Sequence, residues 1–187
     1  MVPSIIENIF SKIFNFASKF ASGKYWHLKV AVLCSVISLC FHFPNFTHGE
    51  KWMRDGINKQ IEEPFVKQNY PPDSHLAKRI FRLTMPVVGN LLNLNITGLL
   101  VLQSILGFLF FIIVSKLVFS ITSDNVLSLI VCVGFTVIYI GKSFLIDSGC
   151  FDGTAFFLLS LTMFFRKPLL IFTCIFLACF TDERAII

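Results

Sequence analysis

The side chains best suited to chemistry are acids and bases that punctuate long apolar runs. Glu50 and Asp55 follow the first run, Asp147 and Asp152 follow the third, and Asp182 with Glu183 stand near the end. A carboxylate at a membrane surface can serve as a general base or hold a divalent cation. Each has a plainer role open to it as well. Glu50 comes three residues after Thr47, the spacing of a helix capping box. Asp55 lies four residues from both Lys51 and Lys59, the spacing of a helical ion pair. Asp147 and Asp152 begin Asp-Ser-Gly and Asp-Gly stretches, which favour turns. A compact basic set, Lys78, Arg79 and Arg82, is placed to meet lipid phosphates, which arginine grips bidentately. Plain anchoring at an anionic surface remains open for it too.

Other chemistries find little footing. The chain holds no GxSxG, no P-loop, no dinucleotide glycine pattern and no HExxH. His27, His42, His48 and His75 do not cluster, and the six cysteines form no CxxC pair, so no metal site is expected, and the sequence leaves any cofactor unknown. The net charge is +5, but the basic residues are spread between apolar runs rather than gathered in a patch, which argues against nucleic acid.

Those residues need elements to hold them, and composition says what kind. Hydrophobic residues make up 55% of the 187, charged residues only 14%, and phenylalanine occurs 23 times. A soluble globular chain carries about 25% charged residues, so lipid is the expected solvent. The fold class expected is all-α: a polytopic membrane protein of about five hydrophobic helices, with amphipathic interfacial helices added.

Residues 1–24 form the first of these. Ile5, Ile6, Ile9, Phe10, Ile13, Phe14, Ala17 and Phe20 recur at helical spacing opposite Lys12, Asn15 and Lys19. Such a helix suits the membrane interface, although its apolar face could instead pack on the chain's own spans. Gly23 is a suitable terminator. This stretch lacks the apolar core and cleavage site of a signal peptide, and it has no arginine to suggest a mitochondrial presequence.

The first span is expected over 25–43, with Lys29 and His42 snorkelling to opposite surfaces. The second, Ile96 to Ser115, has twenty uncharged residues, enough for a hydrocarbon core of about 30 Å. A third runs from Val126 to Gly141. Two further runs, Gly153–Phe165 and Pro168–Phe180, have thirteen residues each and read as a short hairpin that spans or re-enters. Residues 96–187 thus form the membrane helices. Between the first two spans, 44–95 carries two short helices: one with Met53, Ile57 and Ile61 on one face, the other capped at Asp73 or Ser74 and kinked near Pro86. With the N-terminus cytoplasmic, that side receives Lys12, Lys19, Lys24, Lys116, Arg166 and Lys167. The opposite short segments receive only Lys142 and Arg184. The loop 44–95 then lies outside.

This layout resembles the start of GT-C-type membrane glycosyltransferases. Pro72-Asp73-Ser74-His75-Leu76-Ala77-Lys78-Arg79-Ile80-Phe81-Arg82-Leu83-Thr84-Met85-Pro86 is similar to their approach to the second span, and Thr181-Asp182-Glu183-Arg184-Ala185 to a later stretch. The resemblance implies sugar transfer from a polyprenyl-phosphate carrier at the outer face of a bacterial inner membrane. It implies Glu50 or Asp55 as catalytic base, Asp152 as a second acid, and Arg79 or Arg82 as phosphate contacts. The family usually carries many more spans, so a fragment, a reduced relative without activity or an unrelated protein is open as well. A non-enzymatic assembly or scaffold subunit, with membrane lipids and membrane proteins as partners, is the main alternative. A small transporter is a weaker one, because the long spans carry no charge of the sort that marks an ion path.

Overall fold

The computed structural model describes residues 2–43, 51–66, 80–145, 151–182 and 185. Among the described residues every regular element is helical. In chain order they are α1 (Val2–Phe20), α2 (Trp26–His42), α3 (Lys51–Glu62), α4 (Thr84–Leu92), α5 (Ile96–Thr122), α6 (Asn125–Val137), α7 (Tyr139–Ser143), α8 (Asp152–Phe164) and α9 (Pro168–Cys179).

The axis of the molecule is α5, whose 27 residues extend about 40 Å at 1.5 Å each. It is long and apolar enough to cross a membrane, with a mean hydropathy of 2.4 over its best window, of which only 33% is buried. The helix core of a soluble protein would be mostly covered. Asn95 caps its start by accepting from the Gly98 amide at 3.0 Å, and Ser123 ends it in a left-handed turn at φ 55°. The helix therefore runs past Lys116, where the apolar run stops. A charge ends hydropathy, whereas a cap ends a helix.

Around α5 pack α2, α6 and α8. Ala31 and Cys34 of α2, Phe110, Phe111 and Val114 of α5, and Leu129 and Cys132 of α6 form the larger core. Asp124 opens α6 by accepting from the Val126 and Leu127 amides at 2.7 and 3.1 Å. The third apolar run is not one helix, however. It breaks at Ile138, which is extended, and resumes as the short α7. Gly141 permits this, because a Cβ there would lie 2.5 Å from the Thr136 carbonyl oxygen. His42 Nε2 lies 3.3 Å from that same oxygen and donates to it when protonated at that nitrogen.

A second core gathers near the Ile96 end, from Ile57 and Ile61 of α3, Met85 of α4, Ile96 and Leu99 of α5, and Phe151. Ile57 and Ile61, expected on the apolar face of α3, are thus buried, and the helix ends at Glu62, two residues before Pro64. The next described helix differs from expectation. It begins at Thr84, and Pro86 sits in its first turn, where a missing N–H costs nothing. Proline here marks a start rather than a kink. The caps expected at Thr47–Glu50 and at Asp73 or Ser74 lie outside the described residues.

Helices α8 and α9 form the hairpin expected from their runs, turning at Phe165–Lys167 with Pro168 opening α9. At 13 and 12 residues they reach about 20 Å, less than a bilayer core. Helix α1 touches the bundle through Ala17, Phe20 and Ala21 only near its end. Its apolar face stays uncovered, with Phe10 67% exposed. Gly23, at φ +90°, turns the chain into α2, and Lys29 folds back to donate to the Ser22 carbonyl at 2.9 Å.

Candidate functional site

Four side chains from four separate segments meet near the Ile96 end. Asp152 is the first residue of α8, where the helix dipole favours a carboxylate. Its position is fixed by the contact of α8 with α7: a Cβ on Gly153 would come within 2.7 Å of the Ser143 carbonyl oxygen. Thr154, two residues further along, donates to Gln103 Oε1 at 3.5 Å, and Gln103 donates to the Ser143 carbonyl at 2.8 Å. This buried amide links α5, α7 and α8 below the carboxylate.

Arg82 arrives from the non-helical stretch before α4. That stretch is held by Thr84, whose amide donates to the Phe180 carbonyl at 3.2 Å and whose hydroxyl donates to the Leu177 carbonyl at 2.8 Å. Asp182 follows α9, its amide bound to the Ala178 carbonyl at 2.9 Å. The guanidinium then reaches Asp152 Oδ1 through Nη1 at 3.3 Å and Asp182 Oδ1 through Nη2 at 3.2 Å. Tyr139, which opens α7, donates its hydroxyl to Asp152 Oδ2. The side chains of Arg82, Asp152 and Asp182 are 14%, 3% and 8% exposed.

Burial changes what these charges do. Two carboxylates withdrawn from water at close range would repel strongly, and the guanidinium between them offsets that repulsion. The result is a fixed polar centre in an apolar surround. Beside it a cavity of about 220 Å³ is lined by Tyr139, Ala155, Phe156, Leu159, Asp182 and Ala185. A carboxylate at such a wall can accept a substrate hydroxyl's hydrogen bond or its proton.

Of the residues singled out from sequence, Arg82, Asp152 and Asp182 are brought together. Arg82 points at carboxylates here, although it was read as a phosphate contact, and Asp152 is buried in an ion pair rather than exposed in a turn. Asp55 is exposed on α3 and is not part of the cluster. Glu50, Lys78, Arg79, Asp147, Glu183 and Arg184 lie outside the described residues. Sequence reasoning placed Asp182 among the acids suited to chemistry without giving it a role, and missed Tyr139 altogether. Asp182 carried a signal, since it stands in the quoted Thr181–Ala185 stretch. Tyr139, one aromatic within an apolar run, carried none. Among the described residues no three metal-ligating side chains converge.

Among the described residues the fold and site define an all-helical protein with one helix long and apolar enough to cross a membrane and a buried Asp–Arg–Asp centre at one end of its bundle. Comparison with protein-family models, curated proteins and solved structures finds no match.

Proposed function

We propose that the chain is a polytopic membrane protein of GT-C-like glycosyltransferase character, or a truncated relative of one, that acts on a lipid-linked sugar at the outer face of a bacterial inner membrane. In this reading α2, α5 and the broken α6–α7 cross the bilayer, α8 and α9 form a short hairpin within it, and the N-terminus is cytoplasmic. The observation that carries it is the ion-pair cluster itself. Arg82 from the approach to α4, Asp152, and Asp182 from the Thr181–Ala185 stretch are 70 and 100 residues apart along the chain, yet they share one centre. The stretches that resemble the family are thus the ones that meet.

Asp152 is the acid–base candidate within the cluster, with Tyr139 and Arg82 orienting it. Glu50 or Asp55 would supply the outer-loop base, and Lys78 with Arg79 the phosphate contacts of a polyprenyl-phosphate donor. The test is sugar transfer by the full chain in native membranes. Asp152→Asn, which keeps shape and hydrogen bonding, is expected to lower transfer by roughly 10²–10⁴ while donor binding survives. If Asp152→Asn, Glu50→Gln and Asp55→Asn all leave transfer unchanged, the catalytic reading fails. The second reading then takes its place: a non-enzymatic assembly subunit. It is favoured by the way one guanidinium ties together segments from three parts of the chain.

A further inference from the structure

Helices α1 and α2 meet at an elbow, and from it an apolar groove of about 440 Å³ runs along α2. Its floor is the stripe Leu28, Val32 and Val36, at four-residue spacing on the face turned away from the buried Val30, Ala31 and Cys34. Among the described residues the other helices leave that stripe open, its side chains being 38%, 53% and 50% exposed. Two rings form the mouth, Phe20 from the end of α1 and Tyr25 just before α2. Each ring carries an ammonium. Lys29 Nζ stands 5.4 Å from the Phe20 ring centre, and Lys24 Nζ 5.5 Å from that of Tyr25. Lys29 is fixed further by donating to the Ser22 carbonyl at 2.9 Å. Neither lysine meets a carboxylate among the described residues, where the ion pairs belong to Arg82. An ammonium has three donors, so Lys29 keeps two beyond its bond to Ser22, and the charge of both lysines stays uncompensated.

We propose that this groove is a site for one anionic glycerophospholipid, its phosphate held by Lys24 and Lys29 and one acyl chain lying along Leu28, Val32 and Val36. The assignment rests on the bundle lying in a membrane, and on no other part of the functional reading. The order of the parts is that of an amphiphile, with cations at one end of the groove and hydrocarbon surface below them. Length fits a single leaflet. Leu28 to Val36 is eight residues, about 12 Å, within the roughly 15 Å that is half of a hydrocarbon core. Charge selects the headgroup. Two uncompensated ammonium groups attract a lipid of net negative charge, whereas the phosphate of a zwitterionic lipid is already offset by its own cation. Charge also argues against a second copy of the chain. Trp26 packs on Phe119, three residues after Lys116, so this end carries Lys19, Lys24, Lys29 and Lys116 together. A symmetric pairing through the groove would set those cations against their own kind.

The experiment is native mass spectrometry of the full chain, purified in mild detergent and incubated with equal amounts of dioleoyl phosphatidylglycerol and dioleoyl phosphatidylcholine. The expected result is one retained lipid per chain, with phosphatidylglycerol favoured by roughly fivefold for each lysine that meets the phosphate. Lys24→Gln changes an exposed side chain outside any helix, so the fold is expected to survive it and the preference to fall by about fivefold. Adding Lys29→Gln should leave the two lipids equally retained. Val32→Trp fills the groove with both lysines intact and is expected to abolish retention of either lipid. Basic residues that only anchor the chain to an anionic surface would keep their preference in Val32→Trp, and that result overturns the proposal. So does equal retention by the wild type, a preference unmoved by the double glutamine variant, or a lipid-free homodimer that Val32→Trp disrupts. Alkaline extraction of the source membranes separates the two levels of failure. A chain that resists extraction yet shows no preference overturns the groove alone, and a chain that is extracted overturns the membrane reading beneath it.

Discussion

Arg82 illustrates how far spacing along a chain can mislead about a single residue. Its neighbours Lys78 and Arg79 made it one of a basic set facing lipid, but its partners lie 70 and 100 residues away. No local pattern encodes such distances. Asp152 suffered likewise: Asp-Gly reads as a turn, and only the docking of α8 on α7 turns it into a buried acid. The energetics of the cluster can be tested directly. Arg82→Met keeps length and bulk but leaves two buried carboxylates without their shared cation, which is expected to cost about 3–5 kcal/mol. For a chain of this size that corresponds to a fall in Tm of roughly 10 °C in detergent. Adding Asp152→Asn and Asp182→Asn to Arg82→Met should recover most of the loss, because the damage lies in uncompensated charge rather than in shape. A melting point unmoved by Arg82→Met would show that the cluster does not hold these segments together.

At the level of elements, the apolar runs were legible and their limits were not. Burial of Ile57 and Ile61 follows from four-residue spacing, and the short α8–α9 hairpin from two thirteen-residue runs joined at Arg166-Lys167-Pro168. The extension of α5 beyond Lys116 depends on the cap at Ser123, which hydropathy does not see. The break at Ile138 was hidden for a similar reason, because Val137-Ile138-Tyr139-Ile140 is as apolar as a continuous helix would be. Glycine separates the two cases. Gly134 has nothing within 4 Å of an added Cβ, so Gly134→Ala is expected to stabilise the protein by about 0.5–1 kcal/mol through helix propensity alone. Gly141→Ala should do the reverse, by several kcal/mol, since its Cβ would meet backbone at 2.5 and 2.7 Å and backbone cannot rotate away. Thermal unfolding of the two variants side by side checks this. Equal effects would mean that α7 does not fold back on α6 as described.

For the whole molecule, the arrangement of charge along the bundle bears on how it would sit in a bilayer. Trp26, at the start of α2, packs against Phe119 near the end of α5, with ring centroids 5.5 Å apart, so Lys24 and Lys116 belong to the same end. Helix α8 begins at the buried cluster by the opposite end and runs away from it, carrying the chain toward Arg166 and Lys167. Lys142, on α7, stays near the cluster. Basic residues counted as cytoplasmic from sequence therefore gather on one end of the fold, which is the distribution the positive-inside rule favours. In the proposed orientation the site would face the opposite compartment, together with α3 and α4. Thiol labelling of a cysteine-free background tests this on intact cells with a membrane-impermeant reagent. Asn58 is a poor reporter position, because its side chain accepts from the Ile96 amide at 3.1 Å and its loss would disturb the start of α5. Lys59 is exposed on the same helix and makes a cleaner one. Lys59→Cys is expected to react on intact cells, and Ser18→Cys, exposed on α1, only after the membrane is opened. The reverse pattern would turn the cluster toward the cytoplasm, where a sugar carrier displayed on the outer leaflet cannot reach it, and the proposed transfer reaction would fall with the orientation.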